Sequence, residues 1–358
     1  MTETFWQFYT DTDKAWESML YDINAAEVSI DLEQYIFALD DIGNRFVQTL
    51  IKKSRSGVKV RLLCDAVGST KFFVSAVPEE LKREKIDVQF YNPISPWRLY
   101  NFTSWFLRDH RKILVIDGRV GHTGSLGINQ NMSLWRDTHV RLTGGLVQSL
   151  MHTFDQMWTI TKLNKKIHRF DKYPSPSPKF DFVLTTPHIR SWTIRRRFIE
   201  AIRGAKKYIY LTTPYFVPDL GFFRALRLAS KRGVDVRLIL PVSSDITAVD
   251  IASASYVGLA LKSGIKVYYY HNKFLHAKTA VIDDEWSTVG SANLDNLSFR
   301  YNFEANIISM DPKFCSELKE HFFEDLKQTS QINEEAWKKR SILQKISEII
   351  TWPVHNFF

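Results

Sequence analysis

One pattern occurs twice in this chain and limits what it can become: His110-x-Lys112-x4-Asp117 and His276-x-Lys278-x4-Asp283. Each copy runs on into a Gly-Ser pair, Gly124-Ser125 in the first and Gly290-Ser291 in the second. The stretch after each lysine, Ile113 to Ile116 and Thr279 to Ile282, is largely apolar and reads as a short buried strand. Side chains alternate faces along a strand, so a His and a Lys two apart project from the same side. A lone His-x-Lys is an ordinary solvated strand edge, whereas a repeat with the same frame implies a duplicated unit. Together the copies offer two imidazoles and two fixed cations. A phosphodiester needs that set: a nucleophile, a second imidazole for proton transfer, and cations for the phosphoryl oxygens.

With 358 residues the chain is long enough for two domains or one large duplicated one. Its net charge of +9 suits anionic partners such as nucleic acid, acidic lipid headgroups or phosphate esters. The 25 Phe and 10 Trp fit buried cores or contact with a membrane interface. Cys64 and Cys315 lack metal-ligand spacing, which suggests a reducing compartment. The first residues show no basic stretch leading into an apolar one, so no cleavable leader is expected. No apolar run approaches the ~20 residues of a spanning helix, and any membrane work is expected from the surface.

Strand and helix signals alternate. Helices are expected at 11–26, 43–56 and 145–161, with strands at 28–37, 58–65 and 87–91 before the first motif strand. The order recurs with a strand at 208–216, a helix at 221–231 and strands at 233–241 and 266–270. Gly233 to Pro241 (GVDVRLILP) echoes Gly57 to Asp65 (GVKVRLLCD). This rhythm predicts parallel pairing with helices on the faces. The expected division is a first half over 1–163, a Pro/Ser-rich linker over 164–179, a second half over 180–330 and an amphipathic tail over 331–358, with helices expected at 312–328 and 333–351.

The duplicated motif resembles that of the phospholipase D superfamily. The resemblance implies a duplicated α/β fold with pseudo-twofold symmetry and the site at the junction of the halves. It implies that one of His110 and His276 attacks phosphorus while the other moves the proton, with His110 as nucleophile by family precedent. It further implies that Lys112 and Lys278 clamp the phosphate, that Asn293, Ser125 and Ser291 complete the cradle, and that no metal or other cofactor is required. The first copy departs from the pattern: Gly127 stands where the second has Asn293, and Asn129 follows two residues later. Asp117 and Asp283 join the catalytic candidates, with a turn-capping role as the alternative. An acidic residue after the second motif points to Glu304 as the carboxylate that orients an imidazole, with Glu33 as a second candidate.

The framing sequences, Arg108 to Gly118 (RDHRKILVIDG), Trp135 to Val147 (WRDTHVRLTGGLV) and Phe274 to Ile307, are similar to those of bacterial cardiolipin synthases. That branch implies phosphatidyl transfer between phosphatidylglycerol molecules, peripheral on the cytoplasmic side of the inner membrane. The alternative is a phosphodiesterase acting on phospholipid or nucleic acid. Nucleic acid is the less expected partner, because the basic residues are not interleaved with stacking aromatics along one groove. Membrane contact is expected from the aromatic stretch Ile94 to Leu107 and from the tail beginning at Trp337.

Overall fold

The computed structural model describes residues 3–94, 107–163, 174–175, 177–187 and 191–340. The linker apart from its last residues, the interior of the aromatic stretch and the tail beyond 340 lie outside the described residues.

The first half comprises β1 (Thr4–Asp11), α1 (Thr12–Ala25), β2 (Ser29–Gln34), α2 (Asp41–Arg55), β3 (Lys59–Asp65), β4 (Asp87–Tyr91), β5 (Ile113–Ile116), β6 (Val120–Gly124), β7 (Trp135–Gly144) and α3 (Leu146–Leu163). The second comprises β8 (Phe180–Thr186), β9 (Ser191–Trp192), α4 (Thr193–Gly204), β10 (Tyr208–Thr212), β11 (Phe216–Val217), α5 (Leu220–Lys231), β12 (Asp235–Pro241), α6 (Thr247–Lys262), β13 (Lys266–Tyr270), β14 (Phe274–Leu275), β15 (Thr279–Ile282), β16 (Trp286–Gly290), β17 (Leu294–Asp295), β18 (Glu304–Ser309), α7 (Pro312–Leu326) and β19 (Thr329–Gln331). Strand β1 and helices α4 and α6 are additions to the elements expected from the sequence.

The duplication is written in the strand order. The first sheet runs β1-β7-β6-β5-β2-β3-β4, and the second contains β8-β18-β16-β15-β10-β12-β13, the same order in the second half's strands. Only part of each sheet is parallel, which corrects the expectation of parallel pairing throughout. Strands β2, β3 and β4 run parallel because crossovers through α2 and the segment after β3 return the chain to the same end. Strand β5 then pairs antiparallel with β2, and β6, β7 and β1 continue antiparallel.

Asp caps start several helices: Asp11, Asp40, Asp219 and Asp311 each accept from backbone amides of the first turn. The motif strand β5 is apolar on both faces because both are covered, and all four of its residues are buried. One apolar cluster draws Ile113, Val115 and Leu142 together with Val281, Ile307 and Phe314, so the two halves share a core. Strand β14 goes further: it pairs parallel with β7 of the first half, Phe274 opposite Trp135 and Leu275 opposite Arg136. The chain therefore enters the second motif while hydrogen-bonded to the first half.

Candidate active site

Each motif histidine is fixed by the opposite half at the backbone. The His110 amide donates to the Phe303 carbonyl at 3.0 Å, and the His276 amide donates to the Arg136 carbonyl at 2.8 Å. The next residue after each of those carbonyls is a carboxylate, Glu304 and Asp137. Glu304 places both oxygens 3.0 and 3.1 Å from His110 Nδ1, and Asp137 Oδ2 lies 2.9 Å from His276 Nδ1. Each imidazole is thus oriented by an acid from the other half, and its Nε2 is left for chemistry. Lys112 and Lys278 follow on the same strand face, and each ammonium donates to the carbonyl of its own histidine, at 2.6 and 2.7 Å. Lys278 Nζ also lies 3.0 Å from His276 Nε2 and donates to it.

Asp137 was not singled out from the sequence. The signal was there: Asp137 follows Lys112, in WRDTHV, at nearly the interval by which Glu304 follows Lys278. Glu33, the other carboxylate considered, is buried against the Arg111 guanidinium at 2.8 Å and not against a catalytic imidazole. Ser125 and Ser291 also find a different job from the phosphate cradle expected of them. Their hydroxyls donate to Asp137 and Glu304 respectively, holding the carboxylates that hold the histidines.

Asp117 and Asp283 are corrected from catalytic candidates to structural ones. Each sits at positive φ (51° and 56°) in the turn between two antiparallel strands, β5–β6 and β15–β16. Asp117 accepts from the amides of Glu27, Val28 and Ser29, and Asp283 from those of Lys206, Lys207 and Tyr208. They tie the hairpin to the start of β2 or β10, at the strand end remote from the lysines. Asn129 is also removed from the phosphate: its side chain accepts from the Asn131 amide and caps the short helical turn Gln130–Leu134. Asn293 remains in the site, lining the pocket with His110, Lys112 and His276.

Burial sets the electrostatics. It depresses His110 well below an ordinary imidazole, helped by the charges of Lys112 and Lys278. It also lowers His276, again with Lys278 beside it. Burial brings Lys112 down to about 7 and Lys278 down to about 8. The two carboxylates diverge. Burial works against an ionised Asp137, yet His276, Lys278 and the Ser125 hydroxyl hold it below the usual carboxylate range. Burial pushes Glu304 up to about 8, against the pull of Lys112 and the Ser291 hydroxyl. Asp137 is therefore the member held toward its ionised form, beside His276, while burial and the lysines push both imidazoles toward their neutral forms.

His110, His276, Lys112 and Ser125 line a pocket of about 260 Å³, and Glu304, Asp137 and Lys278 contact the two imidazoles. Tyr35 meets the His110 ring edge-on at 4.8 Å between centroids, and Trp135 packs on His276 at 4.9 Å. Two neutral-capable imidazoles, two cations and two crossed carboxylates around one cavity can split a phosphodiester exchange into two displacements.

Residues 19–158 and 198–326 match the family described as cardiolipin synthase, PLD-like domain. The cardiolipin synthase of Clostridium perfringens strain SM101 is 35% identical over 358 residues, covering 96% of this chain and 74% of that one. The chain belongs to the cardiolipin synthase branch of the phospholipase D superfamily. As a member of that branch it is a phosphatidyltransferase of the phospholipase D type. The cardiolipin synthase of Listeria monocytogenes strain EGD-e is 33% identical over 357 residues, 96% of this chain and 73% of that one. The chain thus spans about three quarters of the length of these branch relatives. Among solved structures, phosphatidylserine synthase from Haemophilus influenzae Rd KW20 shares the phospholipase D-type fold, with a TM-score of 0.77 at 15% identity over 99% of this chain and 95% of that one. Polyphosphate kinase from Porphyromonas gingivalis shares it with a TM-score of 0.63 at 15% identity, over 99% of this chain and 54% of that one.

Proposed function

We propose that this phosphatidyltransferase moves a phosphatidyl group from one phosphatidylglycerol molecule to another, forming cardiolipin and releasing glycerol. The observation that carries the reading is the pair of crossed contacts, His110–Glu304 and His276–Asp137, at one pocket lined by both histidines and Lys112, with Lys278 against His276.

His110, neutral with its Nδ1 proton directed at Glu304, attacks the donor's phosphorus through Nε2. A phosphoryl oxygen entering the pocket competes for Lys278 and draws its proton away from His276 Nε2. Nε2, freed from Lys278 and backed by ionised Asp137, takes up a proton from water before the diester reacts and delivers it to the glycerol oxygen as the P–O bond breaks; the second displacement returns that proton to Nε2. Glycerol leaves, and His276 is neutral. It next accepts the proton of a hydroxyl on the second phosphatidylglycerol, whose oxygen attacks phosphorus. The P–N bond breaks and His110 is restored. Through both displacements Lys112 and Lys278 offset the charge on the non-bridging oxygens.

We further place the reaction at the cytoplasmic face of the inner membrane, with the protein held peripherally. The net charge of +9 supports attraction to an anionic lipid surface. Among the described residues no helix is long and apolar enough to cross a membrane. The test is to incubate pure protein with phosphatidylglycerol vesicles and follow both products. Equimolar glycerol and cardiolipin are expected. Phosphatidic acid in place of cardiolipin would make the protein a hydrolase.

A further inference from the structure

The two copies of the motif diverge just past their Gly-Ser pairs, and the carboxylates that line the pocket come from the second half. The first copy reads Ser125-Leu-Gly127-Ile-Asn129 and the second Ser291-Ala-Asn293-Leu-Asp295. Gly127 contributes no side chain and Asn129 is turned outward as a cap, whereas Asn293 and Asp295 both line the pocket. Among the described residues, the first half lines the pocket with Tyr35, His110, Lys112 and Ser125 beside apolar groups and brings no carboxylate to it.

Two polar groups of the second-half lining, Asp245 and Asp295, are the wrong kind for a phosphate, and the Asn293 side chain has an acceptor to spare. Phosphoryl oxygens only accept hydrogen bonds, and Lys112 and Lys278 supply their donors. Asp295 is 5% exposed and has one oxygen occupied by the Ser298 amide at 2.7 Å. Asn293 is likewise 5% exposed, and its side-chain carbonyl oxygen has no hydrogen-bond partner. At the mouth, exposed Asp245 lines the same pocket and accepts from the Tyr215 hydroxyl. Three acceptors thus face a cavity whose phosphate end already holds its donors. A buried acceptor without a partner is costly, and a ligand that brings donors relieves that cost. The donors that accompany a phosphate diester without adding positive charge are alcohol hydroxyls.

We propose that Asn293, Asp295 and the Tyr215–Asp245 pair form a subsite that reads the free hydroxyls of a polyol headgroup. The subsite rests on the phosphatidyl-transfer reading above and names its alcohol class. Burial, with Glu304 nearby, pushes Asp295 up to about 7, so this carboxyl contributes little attraction for an ammonium and suits a neutral hydroxyl.

The experiment is an acceptor competition. The protein is given phosphatidylglycerol vesicles together with isotopically labelled glycerol and 1-propanol, and the ratio of labelled to propyl ester is measured per mole of acceptor. Both alcohols attack the same phosphatidyl-enzyme, so the ratio reads the subsite and is insensitive to the amount of active protein. At least a tenfold preference for glycerol is expected, because a site built around a hydroxyl leaves its acceptors unpaired when the hydroxyl is missing. Asp295→Asn and Asp245→Asn should each lower that preference several-fold. Asp245 is exposed, so its variant folds even if the Asp295 variant does not. Equal transfer to both alcohols, or an unchanged preference in Asp245→Asn and in folded Asp295→Asn, overturns the subsite and leaves phosphatidyl transfer standing. Preference for ethanolamine over glycerol in a third arm also overturns it, because the carboxylates would then read an ammonium. Formation of neither ester overturns the transfer reading and the subsite with it.

Discussion

Asp137 and His276 lie 139 positions apart, on opposite halves of a duplicated fold, and meet at 2.9 Å. His110 and Glu304 repeat the relationship across 194 positions. Each motif imidazole is therefore set by a residue from the opposite half.

Removing the charge of Asp137 tests that arrangement. Asp137→Asn presents an amide to His276 Nδ1, favours the wrong tautomer and withdraws support for the imidazolium. Turnover of a water-soluble phosphodiester should fall by about 10²–10⁴-fold with the fold intact by circular dichroism. A variant retaining more than a tenth of the rate would mean that Asp137 is only a packing residue.

The two histidines should separate in a trapping experiment. With a donor whose leaving group is activated, His276→Ala still loses that group without an acid, but the intermediate then waits for a base. Mass spectrometry of quenched protein should find the phosphatidyl adduct on His110, and His110→Ala should form none. An adduct on His276 in the parent protein would reverse the assignment.

The lysines give the pH profile its alkaline side. Their folded values are lowered, Lys112 to about 7 and Lys278 to about 8, so clamp charge is present below that range and lost as pH rises through it. In the free protein kcat/KM should start to fall between about pH 7 and 8. Bound phosphate favours the charged ammonium, so the corresponding fall in kcat should lie at higher pH. Parallel profiles with no such displacement would show that the lysines do not touch the substrate phosphate. Because these cations stand where a metal ion would act, saturating chelator should leave the rate unchanged.

Asp117→Ala should damage stability and spare chemistry. Three backbone amides lose a charged acceptor, a loss of about 1–3 kcal/mol, and the melting temperature should drop by several degrees. Those amide bonds, with Arg119 nearby, hold the Asp117 carboxyl below its usual value despite partial burial. Its contribution is present at neutral pH and is lost as pH falls through the acid range, so parent and variant should converge in stability at low pH. If instead kcat collapses at an unchanged melting temperature, Asp117 belongs to the chemistry after all.

The sequence makes His110, Lys112, His276 and Lys278 easy to find because local spacing alone carries them. Glu304 follows by resemblance. Asp137 stays hidden because its partner is chosen by the packing of β7 against β14 and not by anything near it in the chain. The same limit explains Ser125 and Ser291, whose hydroxyl direction depends on which strand lies opposite. Strand direction was also out of reach: four buried apolar residues such as Ile113 to Ile116 look alike in parallel and antiparallel neighbours. Helix α6 is apolar over most of its surface, so its periodicity is faint, and an Asn beside a motif, such as Asn129, serves equally well as a cap.

The crossed carboxylates also govern when the enzyme comes into existence. A ribosome releases the first half with His110 and Lys112 already in place, but Glu304, which sets that imidazole, is still to be translated. The nascent first half holds Asp137 with no histidine to orient. Chemistry that needs both crossed pairs cannot begin until the last strands of the second sheet have docked, so the duplication acts as a lock that only the assembled second half opens.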